Sequence, residues 1–371
     1  MHPEILVEQI TIKNFRNHTQ YKLNNSEAIV VLNGDNGVGK TNILEAISLF
    51  SPGKGLRSSN QEDLINKKST DGYFEIIISL KYKNGSINLS KTFNKENKSI
   101  NCFKVDNEKI KNIEILDYLN ILWVTPIMEK VMIQSNSEKR NFIDRLIFNL
   151  NKEHLKLYSN LQKIIRERIK LLKLGNIDQQ WISSIEKKIA ELSYYLFISR
   201  QKYTELINKK LENRFQLITL CQIELDYKNN LFSNKIEKDE FVQLYIQELY
   251  KNREIDLKSN RLNLGVNSLN VSIQMGEDDK VEAKYCSSGE QKSMLISIIF
   301  AVATLIKERD NKNHVILLID EAMAHLDDKH KKKLYEEIRH LNSHVWLTGV
   351  SSDLFTGFKQ QTVFFDVKNT I

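Results

Sequence analysis

Apolar and polar side chains alternate along residues 5–15 and the run stops at Arg16-Asn17-His18, a pattern that predicts a first strand and a turn. Residues 28–32 form an apolar run that leads into a glycine-rich loop, followed by a helix carrying Ile43, Leu44 and Ile47 on one side. The stretches 73–82, 87–93 and 101–105 are short β-type runs separated by polar turns, of which Asn84-Gly85 is the strongest hairpin signal. They predict an antiparallel sheet beside the sheet that carries the loop. Residues 121–124 read as a buried strand ending at Thr125-Pro126.

From Ser137 the period changes. Phe142, Leu146 and Leu150 lie on one helical face, as do Tyr158, Leu161, Ile165, Arg168 and Leu172, and then Trp181, Ile185, Ile189, Leu192 and Leu196. The break at Leu174-Gly175-Asn176-Ile177-Asp178 predicts an antiparallel helical hairpin, and no a/d repeat persists long enough for a coiled coil. The cations along these helices, Lys163, Arg166, Lys170, Lys173, Lys187 and Lys188, read as a solvated face. Alternation returns at 268–275, followed by a helix over 290–308, a continuous apolar strand over 315–319 and a strand over 345–347. These runs predict one sheet split by a mainly helical insertion. The expected divisions are 1–136 and 268–371 for the two parts of the split unit, and 137–267 for the insertion.

Composition narrows the class. With 371 residues and 41% hydrophobic content, the chain can build a full core. Cys102, Cys221 and Cys286 are odd in number and lack a C-x-x-C spacing, which argues for reduced thiols in a cytoplasmic protein and against a disulfide framework or a zinc site. No basic-then-apolar leader opens the sequence, and the longest apolar run, 294–306, falls short of a membrane span, so no membrane partner is expected. A net charge of +7 and a pI near 9.0 favour a polyanion partner, although a bias toward Lys, Asn and Ile could raise the pI by itself.

The chemistry concentrates at two places. Gly34-Asp35-Asn36-Gly37-Val38-Gly39-Lys40-Thr41 fits a P-loop in its required strand, loop and helix context. Glycines at these spacings let successive N–H groups turn toward phosphate oxygens at a helix N-terminus. Lys40 is then expected at the β/γ-phosphates of ATP and the Thr41 hydroxyl at Mg²⁺. The second place is Val315–Ile319 followed by Asp320-Glu321, the form of a Walker B strand. Asp320 is expected to hold Mg²⁺, and Glu321 to act on the water that attacks the γ-phosphate, with Lys40 as its catalytic partner. Upstream, Ser287-Ser288-Gly289-Glu290 opens a helix. It fits both an ABC-type signature, in which Ser287 and Gly289 bind ATP held by a second subunit, and a plain capping box.

The order of P-loop, helical insertion, signature, Walker B and His325-Leu326-Asp327 at the place of a D-loop resembles the ABC-type ATPase heads of the SMC class. Ile12-Lys13-Asn14-Phe15-Arg16-Asn17, the P-loop through Ile47, Pro52-Gly53-Lys54-Gly55-Leu56-Arg57, Arg140-Asn141-Phe142-Ile143-Asp144 and Ser287-Ser288-Gly289-Glu290-Gln291-Lys292-Ser293 narrow the resemblance to the RecF family of bacterial recombination mediators. Lys54 and Lys139 stand where that family more often has arginine. The resemblance implies an α/β fold, an ABC-type P-loop ATPase head with an antiparallel β-subdomain and an inserted mainly helical lobe. It also implies an ATP-dependent homodimer that acts on double-stranded DNA and on single/double-strand junctions, with RecO and RecR as partners, and that helps load RecA onto gapped DNA. Lys54, Arg57, Lys139 and Arg140 are the cations expected at DNA. Thr348 occupies the place where ABC transporters carry a switch histidine. Two other classes stay open on the residues alone: a transporter ATPase subunit, and a nucleotide-binding module without turnover.

Overall fold

The computed structural model describes residues 3–83, 85–97, 101–175, 178–214, 219–227, 232, 236–277, 279–309, 314–321, 328–355, 357–358 and 362–368. In chain order the first elements are β1 (Ile5–Phe15), β2 (His18–Asn24), β3 (Ile29–Asn33), α1 (Lys40–Ser48), β4 (Tyr73–Tyr82), β5 (Gly85–Asn94), β6 (Cys102–Val105), β7 (Glu108–Ile110) and β8 (Asn120–Val124). Then come α2 (Pro126–Glu129), α3 (Asn136–Leu150), α4 (Lys152–Lys173), α5 (Gln179–Arg214), β9 (Cys221–Tyr227), α6 (Lys238–Lys251) and α7 (Arg253–Ser259). The chain closes with β10 (Leu269–Met275), β11 (Val281–Glu282), α8 (Ser288–Arg309), β12 (Val315–Ile319), α9 (Asp328–Leu341), β13 (His344–Gly349) and β14 (Thr362–Asp366).

Two compact units emerge: residues 1–130, 214–219 and 287–371 in the first, and 131–213 and 220–286 in the second. In the first unit a 5-stranded sheet has the order β14-β3-β13-β12-β8, and every pairing in it is parallel. Its strands β3, β8 and β12 are almost wholly apolar and buried, as a parallel sheet covered on both faces requires. β3 and β8 come from the N-terminal part of the chain and β12, β13 and β14 from the C-terminal part, so the split sheet expected from the pattern is formed. A 6-stranded sheet, β2-β1-β4-β5-β6-β7, pairs antiparallel throughout. Helix α8 is long and apolar enough to cross a membrane, but 78% of its most apolar window is buried inside the protein, where it contacts β8 and β12. Its 22 residues extend past the apolar run 294–306 at both ends, and Ser297 and Thr304 within that run are buried with their apolar neighbours.

The second unit holds α3 to α7 and a 3-stranded antiparallel sheet, β11-β10-β9. The alternating strand β10, expected at the start of the C-terminal part of the head, belongs here. It pairs along its whole length with β9, a strand that the sequence pattern did not single out. Leu269, Val271 and Ile273 point into the core of this unit because β9 covers one edge and α3 packs against β10. The main hydrophobic cluster joins Leu161 and Ile165 of α4 to Ile185, Ile189 and Phe197 of α5 and to Phe241 and Tyr245 of α6.

Buried ion pairs tie these helices together. Arg200 donates Nε and Nη2 to the two carboxylate oxygens of Asp144 at 2.8 and 2.7 Å, and Nη1 to the Val266 carbonyl at 2.6 Å. Arg168 donates to Glu186 at 2.9 Å, to Asp256 at 2.7 Å and to the Leu249 carbonyl at 2.8 Å, with its side chain fully buried. The fork geometry of arginine is what lets one buried residue satisfy three elements.

Candidate nucleotide site

The site forms at the carboxyl ends of the parallel strands, where open α/β sheets expose their loops. β3 delivers the glycine loop. Gly34, Gly37 and Gly39 have φ of 139°, 87° and 110°, a region in which side chains are strained. Gly39 has a second constraint: a Cβ there would lie 2.6 Å from His18 Nε2 and 2.7 Å from Asn17 Nδ2. Gly39 is also the N-cap of α1 and no side chain caps that helix, so its first N–H groups are left for an anion.

Lys40 is 4% exposed, and its Nζ donates to the carbonyls of Gly34 and Asp35 at 2.5 and 2.8 Å. The ammonium is thus folded back over the loop of residues 34–39. Thr41 Oγ1 donates to Asp320 Oδ1 at 2.9 Å, joining residues 279 positions apart. Thr348 Oγ1 donates to the same Asp320 oxygen at 2.8 Å and accepts from the Glu321 N–H at 2.9 Å. The sheet order explains the meeting: β13 lies between β3 and β12, so Thr348 stands between the loop strand and the strand that ends in Asp320.

Burial pushes the Asp320 carboxyl above its usual range, hydrogen bonds from Thr348 and Thr41 oppose the shift, Glu321 adds to it, and Arg57 opposes it. Glu321 has φ 51°, a left-handed backbone at a non-glycine residue held by the Thr348 hydroxyl. The Thr41 hydroxyl and the Asp320 carboxylate are hard oxygen donors that suit Mg²⁺. Among the described residues no three His, Cys, Asp or Glu side chains gather as a metal cage.

The loop has supports whose roles the sequence left unread. Asn17 Nδ2 donates to the Val38 carbonyl at 3.1 Å and its Oδ1 accepts from Asn42 at 2.7 Å. His18 Nε2 lies 3.3 Å from the Gly39 carbonyl, which can only accept, so Nε2 carries the proton and donates; burial lowers the pKa of the ring. Arg16 grips the fully buried Glu45 carboxylate of α1 through Nε at 2.8 Å and Nη2 at 2.7 Å. Their only sequence signal was their place in the Phe15-Arg16-Asn17 run.

The other expected site residues are placed as follows. Ser287 N–H and Oγ both donate to Glu290 Oε2, at 2.7 and 2.8 Å, and Ser287 Oγ accepts from the Glu290 N–H at 3.3 Å, so the capping box is formed. A Cβ on Gly289 would meet nothing within 4 Å, which leaves that helix start open. Asp327, with His325 and Leu326, lies outside the described residues. Lys54 is exposed and donates to Asn60 at 3.1 Å, while Arg57 is held by Asn42 at 2.8 Å and Glu45 at 3.4 Å, beside the loop. Lys139 is 6% exposed, and burial lowers its pKa. Arg140 donates to the Leu269 carbonyl at 2.7 Å. Of the four cations expected at DNA, Lys54 and Arg57 are exposed, Arg140 is half-buried and Lys139 is buried.

The profile of the RecF/RecN/SMC N terminal domain family matches residues 6–370. The chain is 33% identical over 357 residues to the DNA replication and repair protein RecF of Rickettsia prowazekii (strain Madrid E), covering 95% of this chain and 97% of that one. The chain belongs to the RecF family. The RecF of Rickettsia canadensis (strain McKiel) is 31% identical over 356 residues, with the same coverage of 95% and 97%. A solved structure of the recombination mediator protein RecF with ATP, in the RecFOR pathway, superposes with a TM-score of 0.82 at 21% identity over 98% of each chain. The Smc head domain of Pyrococcus furiosus aligns more loosely, with a TM-score of 0.54 at 17% identity, covering 98% of this chain and 94% of that one. The fold is thus that of a RecF-type and SMC-type ATPase head.

Proposed function

We propose that this RecF-family chain is a cytoplasmic, ATP-dependent DNA-binding mediator of recombinational repair and replication. In this reading it closes as a homodimer on DNA and promotes RecA loading at gapped DNA together with RecO and RecR. The observation that carries the reading is the convergence of Thr41, Asp320, Thr348 and the Glu321 backbone at the end of a parallel sheet, beside the loop that ends in Lys40. Within it, the N–H groups of residues 34–41 bind phosphate, and Lys40 leaves the Gly34 and Asp35 carbonyls for the β/γ-phosphates. Thr41 and Asp320 would hold Mg²⁺, which would supply positive charge to offset that of the phosphates. Glu321 orients the attacking water and accepts its proton. Ser287 and Gly289 complete the site of the second subunit, and DNA stimulates a weak turnover.

Sedimentation of the purified protein with and without ATP and duplex DNA tests this reading. ATP should convert monomer to dimer and raise DNA affinity. Lys40→Ala should remove both responses with the fold intact, and Glu321→Gln should bind ATP, accumulate as dimer and release no phosphate. Equal ATP affinity in Lys40→Ala and the unaltered protein would sink the site assignment.

A further inference from the structure

In the second unit a cleft of about 680 Å³ runs between α4 and the loop after α7. Five of its lining residues are cations, Arg140, Arg166, Lys170, Lys173 and Arg261, and among the described residues no carboxylate lines it. Arg166, Lys170, Lys173 and Arg261 are exposed, and none of the first three is ion-paired among the described residues. A neighbouring cleft along the same helix differs. It mixes Lys163 and Lys188 with Glu167 and Glu191. Charge is therefore segregated around α4, with unneutralised cations gathered on one side.

The segregation follows from the buried network. Two buried carboxylates tied to α4, Glu186 and Asp256, are taken by Arg168 and Arg253 beneath the surface, so they do not neutralise the rim. The same network fixes the shape. Arg168 ties α4 to Asp256, and Asp256 Oδ1 accepts from both the backbone N–H and the side-chain amide of Asn263 at 2.9 Å. The two walls are thus held together from below before any ligand arrives, over a floor of buried Ile165, Ile169 and Leu262. Five like charges set around a low-dielectric floor focus a positive field outward and repel one another until an anion meets them.

We infer that this cleft seats the phosphate backbone of duplex DNA. Arg166, Lys170 and Lys173 rise along one helix by about 10 Å in all, comparable to the axial rise of about three base pairs at about 3.4 Å each. Among the described residues the lining holds no aromatic side chain on which unpaired bases could stack, so the contacts read charge and not sequence. This assignment rests on the DNA-binding reading above and adds the place where the lobe contributes to it.

The test compares the full chain with the triple variant Arg166→Ala/Lys170→Ala/Lys173→Ala, titrating a fluorescent duplex of mixed sequence over a salt series in the presence of ATP. A second triple variant, Lys163→Ala/Lys187→Ala/Lys188→Ala, removes the same charge from exposed positions of α4 and α5 outside the cleft. The cleft variant should lose at least about tenfold in affinity, and its slope of log affinity against log salt should become shallower by roughly 2 to 3. The second variant should change little, and ATP affinity should be unaltered in both. Equal effects of the two variants, or no effect of the first, would overturn the cleft assignment and leave an acidic protein segment as the other class of occupant to examine. Failure of the unaltered protein to bind duplex at any salt would instead overturn the DNA-binding reading itself.

Discussion

Asp320 and Asp144 are both buried carboxylates, 6% and 1% exposed, and the two units treat them in opposite ways. Burial would push Asp144 up, but the Arg200 guanidinium, with His154 beside it, holds it down at about 2. Around Asp320 the direct partners are two hydroxyls, from Thr41 and Thr348, with Arg57 acting only through space, and burial prevails. A buried carboxylate that the protein neutralises itself is a structural pin. One left with hydroxyl donors at the mouth of the glycine loop keeps the cost of its burial, and in the proposed reading a bound cation would offset that cost.

Three experiments would break or sharpen this contrast. The largest effect is expected from Arg200→Met, which strands the Asp144 charge and frees the Val266 carbonyl. Loss of one partner of a buried pair costs about 3–5 kcal/mol, measurable by urea unfolding followed through a second-unit probe. Adding Asp144→Asn should recover part of the loss, because no charge is then buried alone. If Arg200→Met cost less than about 1 kcal/mol, Asp144 would not be a pin.

Acid titration should give the next largest effect. Asp144 has a folded pKa depressed to about 2, so its stabilisation is fully present above the unfolded value near 4 and is lost as pH falls through about 2. Linkage gives a contribution of roughly 2.5 kcal/mol over that window. Asp144→Asn should flatten the fall in unfolding free energy between about pH 4 and pH 2. An unchanged pH profile would show that other groups set acid stability.

Asp320→Asn should have the smallest effect on the fold. The folded pKa of Asp320 is raised, so the ionised carboxylate costs stability as pH rises above the usual carboxylate range, and a neutral amide relieves that cost. Without nucleotide or metal, the melting temperature should stay the same or rise slightly, a change of under about 1 kcal/mol. The stabilisation that Mg²⁺ and ATP add to the unaltered protein should disappear in the variant, and EDTA should remove it from the unaltered protein. A variant destabilised as much as Arg200→Met would erase the distinction between the two carboxylates.

Where an element's role follows from neighbouring residues, the sequence sufficed. The glycine spacing of 34–39 demands positive φ in any fold, and the structure has it at all three glycines. The continuous apolar runs of β3, β8 and β12 state burial on both faces, and the helical period of α3 to α5 states one buried face. The alternation at β10 was equally legible, but alternation reports two faces and not which strand lies alongside. Only tertiary pairing with β9 placed it in the second unit.

The sequence by itself therefore determined the periodic elements, the phosphate loop and the acidic end of β12, because each is written in residues within one or two turns of one another. Only the tertiary structure decided which distant groups meet. Inserting β13 between β3 and β12 brings Thr348 to Asp320 and Glu321, and the path of α4 past α7 divides its charges between a buried network and an open cleft. Local patterns fix the backbone and its faces through short-range sterics and solvation. The partner of a buried charge is fixed by packing across the whole chain, where the cost of leaving that charge unpaired selects among arrangements that the local pattern permits equally.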